Sequence, residues 1–327
     1  VALIQFRSFR NIDAPLLAEV WRSQPAQRGL AQPMSAAMFE ELILTKNVFD
    51  REGLVLAVED GDPLGFVHAG FGPREDLAGL STLSGVTSML MLRCPEKHNS
   101  LATELLARAE NYLRSRGART LWAGGVQRRD PFYLGLYGGS EMCGILNSDP
   151  RSQQLYASNG YEEASRAVVL HRDLARFRPV VDRTQMQIRR RMCVQTVSDP
   201  PPTSWWDAST LGNFERTRME LQARDARAAS AHVTFWLMQP LSASWGVHAT
   251  GLVDLEVLPA ERRQGLATFL LGEAFRQLAT QGVSVVEAQV DPKDAAAYGL
   301  FCKLGFEAVD EAVHYRKMGD TAAQHTY

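Results

Sequence analysis

Residues Leu255 to Leu271 read LEVLPAERRQGLATFLL, and the fold depends on how this run divides. Leu255 and Val257 alternate with polar residues as on a half-buried strand, and Pro259 stops the pairing. Leu266, Phe269, Leu270, Ala274 and Leu278 then recur at helical spacing. Between the two, Arg262, Arg263, Gln264 and Gly265 make a short polar turn. A strand that passes straight into a helix leaves the first helical N–H groups free, at the positive end of the helix dipole. A glycine at that start lets a phosphate approach the backbone, so the turn is a candidate anion cradle.

Two common phosphate-binding patterns do not fit this run. GxGxxG is absent, and no Gly-Lys-Ser/Thr follows. The residues do fit Arg/Gln-x-x-Gly-x-Gly/Ala, through Arg262, Gly265 and Ala267. Further on, Asp294 to Phe306 reads DAAAYGLFCKLGF. There Asp294, Ala297, Leu300, Phe301, Lys303, Gly305 and Phe306 follow the pattern Asn-x-x-Ala-x-x-Leu-Tyr-x-Lys-x-Gly-Phe. On these two blocks the chain resembles the GNAT superfamily of acetyl-CoA-dependent N-acyltransferases. The resemblance implies an α/β (α+β) fold with a mixed, splayed sheet flanked by helices. It also implies acetyl-CoA as acyl donor. The residues it assigns to the cofactor are Leu255, Val257, Arg262, Arg263, Gln264, Gly265, Leu266, Ala267 and Thr268, with Asp294 and Phe301. Two positions depart from the pattern: Asp294 replaces Asn, and Phe301 replaces Tyr. That tyrosine often protonates the departing thiolate in the family, and phenylalanine has no proton to give. The resemblance therefore supports cofactor binding better than it supports the usual acid.

The same blocks occur earlier in the chain. A shift of 165 residues lays Ser100 to Gly117 on Gly265 to Gly282, with eight identities in eighteen places. Leu155, Tyr156, Gly160, Tyr161 and Glu162 lie over Leu300, Phe301, Gly305, Phe306 and Glu307 at a shift of 145. Both blocks keep their order, so an internal duplication is the economical account. The first copy carries extra chain, including the Gly- and aromatic-rich run PFYLGLYGGSEMCGIL from Pro131 to Leu146, expected as an ordered loop near a cleft or a packing insertion. It also has Ser100 in place of the loop glycine, Lys97 and His98 in place of the arginines, and Tyr156 at the acid position. The expected division is residues 1–173, 174–187 as linker, 188–319, and a tail at 320–327. This resembles tandem GNAT proteins, with one working and one worn half.

The remaining elements follow from pattern. Helices are expected over Ile12–Trp21, capped by Asn11 or Asp13, and over Ser35–Leu44, capped by Ser35. A hairpin turn is expected at Glu59-Asp60-Gly61-Asp62. A strand is expected near Ile188–Val197 carrying Arg189, Arg190 and Arg191, and a helix over Asn213–Ala226. Trp205 and Trp206 read as core or interface residues, or as the lining of an acceptor pocket.

Composition bounds the function. A length of 327 residues suits two domains, and a net charge of −2 implies no broad attraction to nucleic acid. The four cysteines, Cys94, Cys143, Cys193 and Cys302, show no metal-ligand spacing and read as reduced thiols of a cytoplasmic protein. No apolar run reaches membrane-spanning length.

An amine must be neutral to attack a thioester, so a base is needed. Asp254 and Glu256 stand two apart on the strand before the cradle and share a face. They are the candidate bases, directly or through water, and Glu256 is the preferred one. They could instead face solvent or bind a cationic acceptor. Tyr298 lies nearly one helical turn before Phe301 and could replace the missing acid or be a buried aromatic. The expected reaction is acetyl transfer to an amine by direct attack in a ternary complex. A non-catalytic acyl-CoA-binding or regulatory module is the alternative. The sequence leaves the acceptor open.

Overall fold

Thirteen strands make one mixed sheet through both halves in the computed structural model, which describes residues 3–318 except 95, 97, 98, 127, 128, 226 and 227. In the N-terminal half β1 (Gln5–Ser8), β2 (Leu54–Glu59), β3 (Asp62–Pro73) and β4 (Leu80–Leu92) are antiparallel neighbours, and β5 (Thr120–Ala123) joins β4 in parallel. Helices α1 (Ala14–Arg22) and α2 (Ala36–Phe39) lie between β1 and β2 in the chain, and α3 (Asn99–Ser115) links β4 to β5. Then come β6 (Ile145–Leu146), α4 (Pro150–Ser158) and β7 (Glu162–Asp173). The C-terminal half runs α5 (Arg183–Arg191), β8 (Met192–Ser198), α6 (Trp205–Leu211), β9 (Arg216–Ala223), β10 (Ala229–Leu237), α7 (Gln239–Trp245) and β11 (Ala249–Val257). It ends with α8 (Leu266–Thr280), β12 (Val285–Val290), α9 (Ala295–Lys303) and β13 (Glu307–Met318).

The order across the sheet is β1-β2-β3-β4-β5-β13-β7-β12-β11-β10-β9-β8. Each half therefore supplies five strands in the same arrangement, with α3 and α8 as matching crossovers. The sixth strand of each comes from the other half. β13 pairs with β5, with Tyr315 opposite Ala123 and Met318 opposite Thr120. β7 pairs with β12, with Val290 opposite Val168 and Val285 opposite Asp173. The two exchanged strands pair with each other at the centre.

Apolar side chains explain the layers. On α8, Leu270, Leu271, Ala274 and Phe275 are fully buried and pack with Val233, Phe235, Val286 and Ala288. Burying each large one stabilises the fold by about 1.5–3 kcal/mol. Phe301 and Phe306 from the second block close the same cluster. A matching cluster under α3 holds Leu105, Leu106, Ala109, Leu113 and Tyr156. The opposite face carries one core shared by both halves, in which Trp21, Phe39 and Tyr133 meet Phe214, Trp236 and Leu241. β7 alternates between layers, with Ala167 and Val169 in the shared core and Val168 and Leu170 under α8.

Several local expectations hold. Ser35 caps α2 by accepting the Met38 N–H at 3.1 Å. Asp60 and Gly61 take φ of 50° and 95°, the left-handed pair that a two-residue hairpin needs. Others are corrected. Asp13 stands at the start of α1, but Arg7 takes its carboxylate at 2.5 and 2.8 Å. Arg189 to Arg191 form the last turn of helix α5, where cations suit the free carbonyl end; Asp182 starts that helix by accepting the Gln185 N–H at 2.8 Å. Within the expected helix over 213–226, residues 216–223 form strand β9 and the described residues on either side are turns or irregular backbone, with Met219 and Leu221 inward and Arg218 and Glu220 on the other face. Ala226 and the tail lie outside the described residues, as do Lys97 and His98. Among the described residues, no helix is long and apolar enough to cross a membrane.

Candidate active site

β11 and β12 pair in parallel only from Ala249 to Gly251, opposite Val285 to Glu287, and β11 then continues alone on that side. The divergence leaves backbone groups of β11 from Leu252 onward without a partner strand on that edge. On its other side β11 follows β10, with Thr234 opposite Val253 and His232 opposite Glu256. Two residues, Asp254 and Leu255, thus stand against Val233 alone. Asp254 takes φ of 54°, the left-handed turn that absorbs this bulge.

The bulge brings both expected carboxylates to one imidazole. His232 Nε2 is 3.3 Å from Asp254 Oδ2 and 4.0 Å from Glu256 Oε2. Asp254 also lies 3.6 Å from Arg218 Nη1, while Arg218 Nε donates to Glu220 at 3.0 Å. Both carboxylates remain about half exposed. His232 and Arg218 were not read as site residues. Their tie to β11 is a cross-strand register, and a single sequence carries no sign of it.

The cradle takes shape at the other end of the same strand. Pro259–Glu261 forms a short 3-10 turn, and Gly265 starts α8 at φ of 84°. A Cβ on Gly265 would come within 3.1 Å of Gln185 Nε2, and that amide donates to the Gly265 carbonyl at 3.3 Å. The glycine thus serves a left-handed turn and the packing of α5 at once. Among the described residues, no backbone N–H from Arg263 to Thr268 has a hydrogen-bond acceptor. Arg262 and Arg263 are exposed beside them, and Arg262 Nε donates to the Val257 carbonyl at 3.0 Å. Leu266 and Thr268 are buried, and Ala267 is half-buried. Leu255 and Val257 pack against the α8 core.

The second block contributes mainly packing. Asp294 caps α9, accepting the Ala296 and Ala297 N–H groups at 3.1 and 2.9 Å, so its carboxylate is already engaged. Phe301 is buried edge-on to Phe306, with ring centres 5.0 Å apart. Tyr298 is half-buried at the margin of this cluster. In the N-terminal half, β4 and β5 also diverge after Thr87, and Ser88 is the bulge residue there. The groove beside it, lined by Ser88, Ala102 and Tyr156, holds only about 130 Å³. Burial raises the Tyr156 hydroxyl's pKa well above its ordinary value. Ser100 lies exposed within α3.

A cleft of about 1080 Å³ opens between the halves and reaches the bulge. Trp206, Asp207, Arg216, Arg218, Thr234, Val253 and Asp254 form its C-terminal wall. The β3–β4 hairpin and residues 129–142 form the other wall, including Leu134, Ser140 and Met142 from the Gly-rich run. Trp205 lies outside the lining, and its indole N–H donates to the Leu77 carbonyl of that hairpin. Burial pushes the Asp130 carboxyl up to about 7, against the opposing pull of the Phe132 N–H, which donates to it at 2.9 Å.

The halves are joined behind this cleft by a buried acid that sequence reading missed. Glu287, wholly buried on β12, accepts from His171 at 2.7 Å, Arg28 at 3.1 Å and the Ser140 N–H at 2.6 Å. Burial alone would raise its pKa, but these three donors outweigh it and hold the carboxyl below its ordinary value. Gly139 has no room for a side chain, because a Cβ there would lie 1.8 Å from Glu287 Oε1.

Residues 186–306 match the model of the acetyltransferase (GNAT) family. No curated protein matches the chain significantly. Among solved structures, the glucosamine N-acetyltransferase region of a fungal multi-domain GH3 β-N-acetylglucosaminidase superposes with a TM-score of 0.70 at 14% identity, over 97% of this chain and 38% of that one. A tandem GNAT protein from the clavulanic acid biosynthesis pathway gives 0.65 at 13% identity, over 97% of this chain and 98% of that one. A GCN5-related N-acetyltransferase from Sphaerobacter thermophilus gives 0.63 at 17%, over 96% and 95%. At these identities the likeness shows the fold, and it extends over both halves.

Proposed function

We propose that the chain is a tandem GNAT-superfamily acetyltransferase that moves an acetyl group from acetyl-CoA to an amine of a small molecule or protein, by direct attack in a ternary complex on its C-terminal half. The observation that carries this reading is the run of unpartnered N–H groups from Arg263 to Thr268, beside the point where β11 and β12 part. Such a run suits a diphosphate, and Arg262 and Arg263 add charge. The open edge of β11 suits the amides of a pantetheine arm, which would pair as an added strand does. Leu255, Val257, Gln264, Gly265, Leu266, Ala267 and Thr268 frame that site. Asp294 would act through its cap on α9, and Phe301 through packing.

The acceptor would enter through the cleft that reaches Asp254. Glu256, directly or through water, takes the proton of the attacking amine, with Asp254 and His232 beside it. As the amine nitrogen bonds to the carbonyl carbon, the carbon–sulfur bond breaks and the thiolate leaves. Tyr298 is the candidate to return a proton to it. The unit boundaries that suit this scheme are 1–173 and 188–319, with 174–187 between them and a tail at 320–327; β7 and β13 cross from one unit to the other. Four free cysteines support a reducing, cytoplasmic setting.

Free-thiol release from acetyl-CoA, measured over a panel of amines, tests the reading. The expected result is thiol release that depends on both the amine and the protein. Acetyl-CoA binding without release for any amine would favour the alternative, a non-catalytic acyl-CoA-binding module.

A further inference from the structure

The C-terminal site lacks the tyrosine of the family pattern, and a residue from the other half stands close to the point where its strands divide. We propose that Ser140, carried by the N-terminal half, is a catalytic residue of the C-terminal site, its hydroxyl donating a hydrogen bond to the acetyl carbonyl oxygen of acetyl-CoA. This rests on acetyl-CoA binding between β11 and β12.

Three interactions fix Ser140, and none of them uses its hydroxyl. Its N–H donates to Glu287 on β12 at 2.6 Å. Its carbonyl accepts the Trp236 indole N–H at 3.1 Å. Its Cβ lies against Gly251 of β11, so closely that a Cβ on Gly251 would stand 2.7 Å from it. Gly251 and Glu287 are the last paired residues before β11 and β12 part. Ser140 therefore bridges the two strands at the root of the gap, on the side of the cleft.

The hydroxyl itself is buried and has no hydrogen-bond partner. A buried polar group left unpaired costs about 1–3 kcal/mol, so a position held this firmly with an idle donor calls for a reason. Among the described residues, the unpartnered buried hydroxyls are those of Thr87, Ser88, Ser140, Tyr161 and Thr250, and only Ser140 also lines the cleft. A serine oxygen turns about its Cα–Cβ bond among three staggered positions without moving the backbone, and the proposed role places it in the one that faces the cleft. As the amine attacks, electrons of the carbonyl double bond move onto oxygen. A fixed donor in a site shielded from water stabilises that charge more than it stabilises the ground state. No proton is transferred, so the weak acidity of a serine is no obstacle. On this account the worn half supplies part of the working site.

The test compares wild type with Ser140→Ala, which keeps both backbone bonds. Each protein is saturated with acetyl-CoA labelled with carbon-13 at the carbonyl, and the carbonyl resonance is read. Wild type should show a downfield shift on binding, and Ser140→Ala should lose it while melting at the same temperature. With an accepted amine, kcat should fall on the order of a hundredfold with little change in KM for acetyl-CoA. An equal shift in both proteins overturns the role of Ser140 and leaves the acetyltransferase reading standing. Failure of wild type to bind acetyl-CoA overturns that reading, and this role with it.

Discussion

A chain ended after Phe306 should lose its cooperative unfolding transition. The cut removes β13, which lies between β5 and β7 in the central sheet. β13 pairs with β7 from Glu307 to Arg316 and with β5 from Tyr315 to Met318. It also buries Ala312 and Val313. At about 0.5–1.5 kcal/mol net for each hydrogen bond, the loss approaches the whole stability of a protein, about 5–15 kcal/mol. The remaining strand, β7, cannot serve both halves. If it stays beside β12, β5 becomes a bare edge; if it moves to β5, β12 does. Either edge is a template for aggregation. Circular dichroism melting and limited proteolysis of the shortened chain would show this. A soluble, protease-resistant product melting like the full chain would mean that β13 is dispensable and that the exchanged strands do not hold the halves together.

Glu256→Gln should lower the rate by on the order of a hundredfold or more at neutral pH, within the ~10²–10⁴ range of general-base catalysis. The substitution keeps shape and hydrogen-bonding capacity but removes the basic oxygen. The loss should shrink as pH rises, because the amine loses its proton in solution and no longer needs the base. His232 and Asp254 stand near enough to bear part of the work, so Asp254→Asn in the Glu256→Gln background should deepen the loss. A pH–rate profile of Glu256→Gln that overlays the wild-type profile would remove Glu256 from the chemistry.

Much of the candidate site's local structure was legible because it is local. Strand, turn and helix from Leu255 to Leu278 follow one another in sequence, and the period of the apolar residues changes from two to three or four where α8 begins. The repeat located α3 and α4 for the same reason. The exchange of β7 and β13 was not legible. Both strands follow equivalent helices, and nothing within either one says which β-edge it joins. That choice is made by contacts more than a hundred residues apart. β9 was misread because Met219 and Leu221 are too few to mark a period of two, and the charged residues around them suit an exposed helix equally well. His232 stands beside the two candidate carboxylates through its register with Glu256. Glu287 became a joint between the halves because a loop from the other half brings it the Ser140 N–H. The Gly-rich run packs closely against the C-terminal half: a side chain on its Gly139 would meet Glu287, and one on Gly251 of β11 would meet Ser140 of the run and Trp236.

The central claim is that the C-terminal half holds acetyl-CoA at the start of α8. Calorimetric titration with CoA tests it most directly, using wild type, Ala267→Pro and Ser100→Val. Proline is tolerated in the first turn of a helix, where the N–H it removes has no intrahelical partner, so Ala267→Pro deletes one cradle N–H; an unchanged melting temperature would show that the strain it puts on Leu266 leaves the fold intact. A hydrogen bond to a charged group contributes about 1.5–3 kcal/mol, so affinity should fall roughly ten- to a hundredfold. Ser100→Val, at the place in α3 that matches Gly265, should bind as wild type does, and wild type should take up one CoA per chain. Loss of binding in Ser100→Val with full binding in Ala267→Pro would contradict the account and make the N-terminal half, with Tyr156, the working one.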